Sequence, residues 1–502
     1  MNEELLRRYV AIAFAILLSV FGLVYMVYVT VSFFTDPFKI FLAYIFITLV
    51  LVAGIFNIVG VIYYYQSYFY KERSPQKKLK ILPKVALAIT SYNESPAMIQ
   101  QTIRSIKKIE YPKGKLDFFL VDDSTSKRDV AALRNICKKE KIIFLHRGHR
   151  ENFKAGALNN LLDRLDSDFL AIFDADETLV DTRFLLDNLP YFEADNKLAS
   201  LQTIKTAKRG SPFANAINET YQFFVKFIQP LRSRDKIAMF QGSAGILNVP
   251  IAKKVGGFPN SLTEDTAFSF MADLKGCHSI FINRLYIEGR PIETYSAFIT
   301  QQYRYSYGNS GLVPLYLKNF WKMESPKRMH YFTQVFGLHY ISMVYMLFGI
   351  LTATFAVLGI SEVILSGAAF WEFVPKVQFS DLFPFIVMIV NMLVISKFFF
   401  SSIRTGIAAY FLNFAAALVR SRAALSALFS KHADFKVVRK TKIGRNSVIK
   451  AIRFTLRESS FSLSLLFFAI SAFLHADIIG AIWLFYYSLL FISAPIFSYL
   501  RG

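Results

Sequence analysis

The stretch FLAIFDADE, residues 169–177, decides the fold of the region around it. Its first five residues are apolar, and such a run bounded by polar residues is typical of a strand buried on both faces of a parallel sheet. Asp174 and Asp176 follow at its carboxyl end. Two adjacent carboxylates repel each other unless a cation joins them, and oxygen ligands open to solvent suit Mg²⁺ or Mn²⁺. The residues equally allow a simpler interpretation, in which both carboxylates cap a following helix.

The composition points to a membrane protein. Of 502 residues, 54% are hydrophobic, yet the net charge is +22. This combination is typical of membrane proteins whose cytoplasmic loops carry Lys and Arg. No nucleic-acid partner is expected, because the basic residues lie beside apolar spans and form no single basic module. Cys137 and Cys277 imply no disulfide framework and suit a reducing compartment.

Long apolar runs predict a bundle of about six transmembrane helices. Residues 1–70 form an N-terminal hairpin, helices 3 and 4 lie in 331–400, and helices 5 and 6 lie in 458–502. Residues 401–457 contain an interfacial helix and a basic loop, although a seventh span at 406–419 is the competing interpretation. The distribution of Lys and Arg places the loops that carry them in the cytoplasm. We therefore expect an integral protein of the cell membrane, in contact with lipids, whose soluble domain is cytoplasmic.

Residues 80–305 form the soluble domain. Strand-like runs at 85–90, 116–121, 141–145 and 169–173 alternate with helix-like segments at 96–109 and 154–165. This alternation predicts an α/β fold, a parallel-rich central sheet with helices on both faces. Such sheets bind ligands at the carboxyl ends of their strands.

Three of the predicted strand ends carry polar residues: Tyr92 and Glu94 after the first, Asp122 and Asp123 after the second, and Asp174 and Asp176 after the fourth. We expect them to meet in one crevice. Lys154 opens the segment KAGALN at a predicted helix N-terminus, where backbone N–H groups favour an anion and a lysine adds a charge for phosphate. A solvated surface lysine is the alternative at that position.

The motifs SYNE, VDDS, KAGALN and FDADE, in this order, resemble those of the family-2 glycosyltransferases, and FQGSAGILN, LTED and QQYRY extend the match. With the flanking spans, the chain resembles the membrane-embedded processive branch of cellulose, mannan and hyaluronan synthases. This resemblance implies an A-type glycosyltransferase domain, a UDP- or GDP-linked hexose as donor, Mg²⁺ or Mn²⁺, and inverting transfer. It further implies a growing β-linked polysaccharide that is translocated across the membrane, with accessory export subunits as possible partners.

The resemblance also assigns roles to residues. The nucleotide and donor would be bound by Tyr92, Glu94, Asp122, Asp123, Lys154, Asp174, Gln301 and Arg304, and a metal by Asp174 and Asp176. Asp265 would be the general base, and the acceptor would meet Gly242, Ser243, Glu264, Asp265 and Tyr305. Residues 435–440, FKVVRK, resemble the gating loop of cellulose synthases through Phe435, Val437 and Lys440, with Val438 in place of Thr. Residues 306–330 are expected to form an interfacial amphipathic segment.

Two alternatives stay open. Tyr305 stands where the family has Trp, and this departure keeps non-processive transfer of one sugar to a lipid acceptor in view. A catalytically silent transporter or scaffold is disfavoured, because the acidic residues and Arg304 are intact.

Without the resemblance, Asp265 would be as well explained as part of a helix cap. No soluble domain follows the last predicted span, so a cyclic-dinucleotide receptor module is not expected. Glucose, mannose and N-acetylglucosamine donors are all compatible with the motifs.

Overall fold

The computed structural model describes residues 81–366, 401–429, 445–474 and 478–501, with scattered positions in 41–79 and 386–400. Its strands are β1 (Val85–Ser91), β2 (Leu116–Asp122), β3 (Ile143–His146), β4 (Phe169–Asp174), β5 (Thr178–Leu179), β6 (Leu198–Ala207), β7 (Gly245–Asn248) and β8 (His278–Gly289). Within the described residues these strands form one sheet in the order β3-β2-β1-β4-β7-β6-β8-β5. The four strands predicted from the sequence are all present, with bounds that differ by one or two residues.

Helices separate most of these strands. They are α1 (Pro96–Ile106), α2 (Lys127–Glu140), α3 (Phe153–Arg164), α4 (Phe184–Asn188), α5 (Pro190–Ala194), α6 (Pro212–Phe223), α7 (Gln229–Arg234), α8 (Val249–Lys254) and α9 (Glu264–Leu274). A π-helical turn, Phe224–Ile228, joins α6 to α7. Side-chain caps begin several of them, because Ser95 accepts from the Met98 amide and Ser126 accepts from the Asp129 amide.

The sheet is parallel in one half and mixed in the other. β3, β2, β1 and β4 are parallel neighbours, whereas β7 runs antiparallel to both β4 and β6. The predicted parallel-rich sheet is therefore correct for the first half. Beyond β4 the arrangement is set by the insertion of the short β7 between β4 and β6, which no local periodicity signals.

Both faces of the sheet are covered. Along β1, Val85, Leu87 and Ile89 belong to the core beneath α1, and Ala86 and Ala88 belong to the core beneath α3. Residues 170–173 of β4 are fully buried, as the apolar run predicted. Each buried Leu, Ile or Phe stabilises the fold by about 1.5–3 kcal/mol relative to an exposed one.

Register brings the strand ends level at one edge. Ser91 of β1 pairs with Asp122 of β2, and Thr90 of β1 pairs with Asp174 of β4. Because these strands are parallel, the loops that follow them leave the sheet on the same side. The loops are also tied together, since the Asn93 amide donates to Ser124 Oγ at 2.8 Å.

The C-terminal part is helical. Its helices are α10 (Tyr295–Ser310), α11 (Val313–Asn319), α12 (Ser325–Ser366), α13 (Ile403–Ala415), α14 (Ala417–Phe429), α15 (Val448–Phe454), α16 (Leu456–Leu474) and α17 (Ile478–Leu500). Among the described residues, two helices are long and apolar enough to cross a membrane, Leu456–Leu474 and Gly480–Leu500. The number rises to four if each of two bent pairs is one span, and these pairs are Ser325–Gly337 with Ser342–Leu351 and Ile403–Ala415 with Ala417–Phe429.

These helices agree with part of the predicted bundle. The region 458–502, predicted to hold helices 5 and 6, covers most of α16 and all of α17, and the region 331–400, predicted to hold helices 3 and 4, covers most of α12, which is broken at Gly337. Most of the predicted N-terminal hairpin lies outside the described residues, and so does most of 367–400. The total of six therefore stays a prediction. So does the interfacial placement of 402–430, where the structure has α13 and α14 bent by 44°.

One buried guanidinium ties α10 to the α13–α14 pair. Arg420 is 2% exposed and donates from Nε to the side-chain oxygen of Gln302 at 2.8 Å. Its Nη2 donates to Asn413 Oδ1 at 3.1 Å. The position of α10 is thus fixed from the side of the apolar helices as well as from the sheet.

Candidate active site

Asp174 is the centre of a charged cluster at the sheet edge. Lys154 of α3 donates to Asp174 Oδ1 at 2.7 Å, and Lys205 of β6 donates to Asp174 Oδ2 at 2.9 Å. The three side chains are between 21% and 33% exposed, so the cluster is open to solvent. Burial by itself would raise the pKa of Asp174, but the two ammonium groups hold that pKa well below its ordinary value.

Ser243 and Glu177 support this cluster from inside. The Ser243 hydroxyl lies 2.6 Å from Glu177 Oε1 and 3.0 Å from Asp174 Oδ2. Glu177 accepts the Asp174 amide at 2.9 Å through its other oxygen. Burial raises the pKa of Glu177 to about 7. Ser243, predicted to contact the acceptor, is fully buried here and belongs to the Asp174 cluster.

The predicted base, Asp265, lies in the first turn of α9 beside this cluster. It accepts the Thr266 amide at 2.7 Å through Oδ1, and its Oδ2 faces the backbone of Gly242. The carbonyl of Gly242 in turn accepts from Lys154 at 2.9 Å. Burial raises the pKa of Asp265, and the charges of Lys154 and Lys205 oppose that rise. Burial and the neighbouring Asp265 raise the pKa of Glu264 to about 7.

Gly242 is required at the point where Asp265 and Lys154 meet. Its φ is +79°, and a Cβ there would lie 3.1 Å from Asp265 Oδ2. Gly256 has a φ of +92° but open space around its Cβ position. We expect Gly242→Ala and Gly256→Ala to share a backbone cost of about 1–2 kcal/mol, visible as similar falls in Tm. Only Gly242→Ala displaces the base, so kcat/KM should fall about tenfold further in that variant.

Equal kcat/KM values for the two alanine variants would show that Gly242 does not determine the position of Asp265. Activity and thermal unfolding are measured on the same preparations, so that a folding defect is separated from a displaced carboxylate.

The raised pKa of Asp265 predicts a pH dependence. A general base must be unprotonated, so kcat/KM should fall on acidification, beginning above the pH expected for an ordinary aspartate of pKa about 3.9. Because Glu264 and Asp265 are adjacent carboxylates, the profile reports the pair. Glu264→Gln removes one of the two negative charges and should move the acidic limb to lower pH. A pH–rate profile of both proteins checks this, and superimposable limbs would contradict it.

The residues predicted to hold the nucleotide line the loops after β1 and β2. The Tyr92 ring is covered by the Arg150 guanidinium, whose Cζ lies 3.5 Å from the ring centroid, and Glu94 is half-buried in the same loop.

Asp123 is paired with Arg147, which donates from Nε at 2.7 Å. Asp122 is fully buried and accepts from Ser124 Oγ at 2.6 Å, with His146 Nδ1 2.9 Å away. Of the two acidic residues, only Asp123 retains any exposure.

The QQYRY segment lies on α10 and faces the cluster from the helical side. The Tyr221 hydroxyl donates to Gln301 Oε1 at 2.6 Å, and Gln301 Nε2 donates to the Tyr305 hydroxyl at 3.3 Å. The rings of Tyr221 and Tyr305 meet edge to face, 5.9 Å apart. A Trp in place of Tyr305 has no oxygen to accept from Gln301, so this departure from the family pattern is matched by a local hydrogen bond. Arg304 is half-buried, and its charge opposes the rise in the pKa of Glu264.

Thr263, which directly precedes α9 and Asp265, packs closely on α10. A Cβ at Gly308 would lie 2.8 Å from the Thr263 backbone nitrogen, so only glycine allows this approach. The TED and QQYRY motifs, about 40 residues apart in sequence, are therefore adjacent in the fold.

Asp176 contacts the segment that follows β8. Its Oδ2 accepts the Arg290 amide at 3.3 Å. Among the residues that the structure describes, no group of three or more His, Cys, Asp or Glu is placed to hold a metal ion. The predicted gating residues Phe435, Val437 and Lys440 lie outside the described residues.

Several residues of the site were not predicted from the sequence. Lys205, Glu177, Arg147 and Tyr221 all contact predicted site residues. Glu177 lies within FLAIFDADE, but the motif by itself indicates no role for this residue. Arg147 and Lys205 lie near the carboxyl ends of strands, and this position is the only local signal they carry.

Comparison with known proteins finds a family model that matches part of the chain. The model of the family Glycosyl transferase family 2 matches residues 86–256. The cellulose synthase catalytic subunit (UDP-forming) of Pseudomonas fluorescens (strain SBW25) is 29% identical over 234 residues, which are 45% of this chain and 31% of that protein. Glucomannan 4-beta-mannosyltransferase 1 of Cyamopsis tetragonoloba is 27% identical over 285 residues, or 53% of each chain. The chain thus spans about a third to a half of the length of these relatives.

Among solved structures, the mannosyltransferase PcManGT from Pyrobaculum calidifontis, in complex with GDP-Man and Mn²⁺, is similar in fold. The TM-score is 0.54 at 16% sequence identity, and the match covers 78% of this chain and 100% of that one. The mixed sheet with helices on both faces is therefore an A-type glycosyltransferase fold. Residues 86–256 form a domain of glycosyltransferase family 2, with cellulose synthases and glucomannan mannosyltransferases among the relatives of the chain, and the predicted family is confirmed for this domain.

Proposed function

We propose that this protein transfers a hexose from a nucleotide-sugar donor to an acceptor hydroxyl with inversion, and so extends a β-linked polysaccharide at the membrane. The observation that carries the proposal is the position of Asp265. A half-buried carboxylate with a raised pKa lies against Gly242, whose carbonyl is bonded to Lys154 of the charged cluster. A proton acceptor and a set of cations are thus placed side by side.

Transfer needs both features. The acceptor hydroxyl is a poor nucleophile until a base takes its proton, and Asp265 is the carboxylate placed to do so. The departing nucleoside diphosphate gains negative charge, which Lys154 and Arg304 neutralise as it develops. A single base that activates a hydroxyl opposite the leaving group gives inversion in one displacement. The names of the relatives, a UDP-forming cellulose synthase and a 4-beta-mannosyltransferase, support this outcome.

The donor is proposed to lie along the carboxyl edge of β1, β2 and β4. Tyr92, Glu94 and Asp123 would contact the nucleobase and ribose, and Gln301 would help position the diphosphate. Tyr305 and Glu264 would meet the acceptor from α10 and α9, beside Asp265. The GDP-Man in PcManGT supports a nucleotide-sugar donor for this fold.

A divalent cation is part of the proposal. Asp174 and Asp176 are oxygen donors of the type that Mg²⁺ and Mn²⁺ prefer, and Asp174 is partly exposed. With only two carboxylates, the remaining ligands would be water and diphosphate oxygens, as is usual for Mg²⁺. When bound, the cation would neutralise charge on the leaving diphosphate. The Mn²⁺ in PcManGT supports this assignment.

The membrane part of the proposal rests on the C-terminal helices. α16 and α17 are long enough to cross a bilayer, and the α10–Arg420 contact joins them, through α14, to the catalytic domain. We propose that the product passes outward between the helices while the donor is taken from the cytoplasm. Residues 435–440 would act as the gating loop.

The proposal is tested by the product. The purified chain in lipid nanodiscs is incubated with labelled UDP- and GDP-linked glucose, mannose and N-acetylglucosamine, with Mg²⁺ or Mn²⁺, and the labelled product is sized. A high-molecular-weight product digested by one β-specific glycosidase is expected. A single sugar on lipid would replace polysaccharide synthesis by non-processive transfer, and no labelled product from any donor would contradict sugar transfer.

A further inference from the structure

Lys205 occupies a cage of oxygen atoms. Besides Asp174 Oδ2 at 2.9 Å, its ammonium nitrogen lies 2.5 Å from Ser243 Oγ, 3.2 Å from the Gln241 carbonyl oxygen and 3.8 Å from Glu177 Oε1. Two carboxylates, a hydroxyl and a carbonyl are the kinds of ligand that a hard metal ion takes. A lysine side chain here supplies the positive charge from within the protein.

The cage is built by the fold and is not a surface contact. Gln202 holds the loop that forms it, because its side-chain oxygen accepts the Gln241 amide at 2.7 Å and its nitrogen donates to the Ser243 carbonyl at 3.0 Å. Gln202 is 1% exposed and Ser243 is fully buried. The Lys205 side chain is 33% exposed, so its open side faces solvent at the same edge as Lys154.

Two ammonium groups with exposed surface meet at this edge. Lys154 and Lys205 bind opposite oxygens of one carboxylate, so Asp174 is shared by two positive charges. A ligand that carries two or more negative charges and reaches this edge is attracted by both ammonium groups.

We propose that Lys205 is a donor-binding residue that provides a fixed cation for the diphosphate, so that the protein binds nucleoside diphosphates without a divalent metal. This inference rests on the proposed function, since it takes the nucleoside diphosphate as the ligand of the Asp174 edge. A divalent ion adds to the affinity that Lys205 already gives.

The test measures binding, not turnover. UDP and GDP are titrated by calorimetry into the full chain in nanodiscs, first in EDTA and then in Mn²⁺, for the wild type, Lys205→Gln, Lys205→Arg and Lys236→Gln. Lys236→Gln is the matched control, because Lys236 is also ion-paired but with Asp195, outside the site. Thermal unfolding of each variant reports its folding.

The wild type is expected to bind UDP or GDP in EDTA, and Lys205→Gln should weaken that binding about tenfold or more. Mn²⁺ should restore most of the loss, Lys205→Arg should stay within a few fold of wild type, and Lys236→Gln should be unchanged.

If the wild type binds only with Mn²⁺, or if folded Lys205→Gln and wild type bind equally in EDTA, the role of Lys205 is wrong although the proposed function stands. If Lys205→Gln does not fold, loss of EDTA binding in folded Lys205→Arg is the overturning result. Binding of neither nucleotide in either condition overturns both proposals.

Discussion

Asp265→Asn is expected to lower the transfer rate by about 10²- to 10⁴-fold, the usual contribution of a general base. Asparagine keeps the shape of the side chain and can still accept the Thr266 amide, but it does not take a proton from the acceptor. Nucleotide affinity should change little, because Lys154 and the Asp174 cluster are untouched. Initial rates are measured with the labelled donor that gives product, and nucleotide binding is measured by calorimetry.

The matched control is Asp273→Asn on the same helix. Asp273 is paired with Lys327 of α12, away from the Asp174 edge. This change should lower Tm through the lost ion pair and leave kcat/KM within a few fold of wild type. A rate for Asp265→Asn close to that of Asp273→Asn would remove Asp265 from the role of base.

Asp174→Asn is expected to reduce both stability and function. The neutral amide leaves Lys154 and Lys205 without the negative charge that they share, and breaking such a pair costs about 3–5 kcal/mol when it is buried. Since these side chains are 21–33% exposed, a smaller cost of about 1–3 kcal/mol is expected here. The fall should appear as a lower Tm, together with a loss of transfer of at least about 10²-fold, because the proposed diphosphate site loses its order.

Asp163→Asn serves as the control for this change, because Asp163 is an exposed acidic residue on α3, the helix that also carries Lys154. It should match the wild type in Tm and in rate. If Asp174→Asn also retained wild-type nucleotide affinity and Tm, the cluster would not be the diphosphate site, and Asp174 would have no structural role either.

Much of the catalytic half of the sheet was predictable from the sequence. Buried parallel strands are continuous apolar runs, so β1, β2 and β4 are visible locally, and polar residues that follow them must meet at one edge. These strands predict that Asp122 and Asp174 lie at the same edge, and the strand register places them there. The antiparallel β7 was not predicted, because its pairing with β4 and β6 depends on contacts between residues 43 to 79 positions apart.

The residues of the site likewise fall into those that sequence motifs identify and those that only the fold brings into place. Asp174, Lys154 and Asp265 lie in motifs whose order in the chain identifies them. Lys205 lies in LQTIKTAK, a stretch in which nothing marks one lysine as special, and its partners Asp174, Glu177 and Ser243 come from other strands and loops. A lysine becomes part of a site only when the fold removes its surroundings from water and places carboxylates around it.

The sequence by itself therefore determined the family of the domain at 86–256, the strand ends that carry acidic residues and the helices apolar enough to cross a membrane, because each depends on local order and hydrophobicity. Only the tertiary structure decided which charges neutralise each other. Asp174 is shared by two lysines, and Asp123 is held by Arg147. These pairings depend on distances of about 3 Å between residues that are distant in the chain, and electrostatic energy at such distances is set by three-dimensional position and burial.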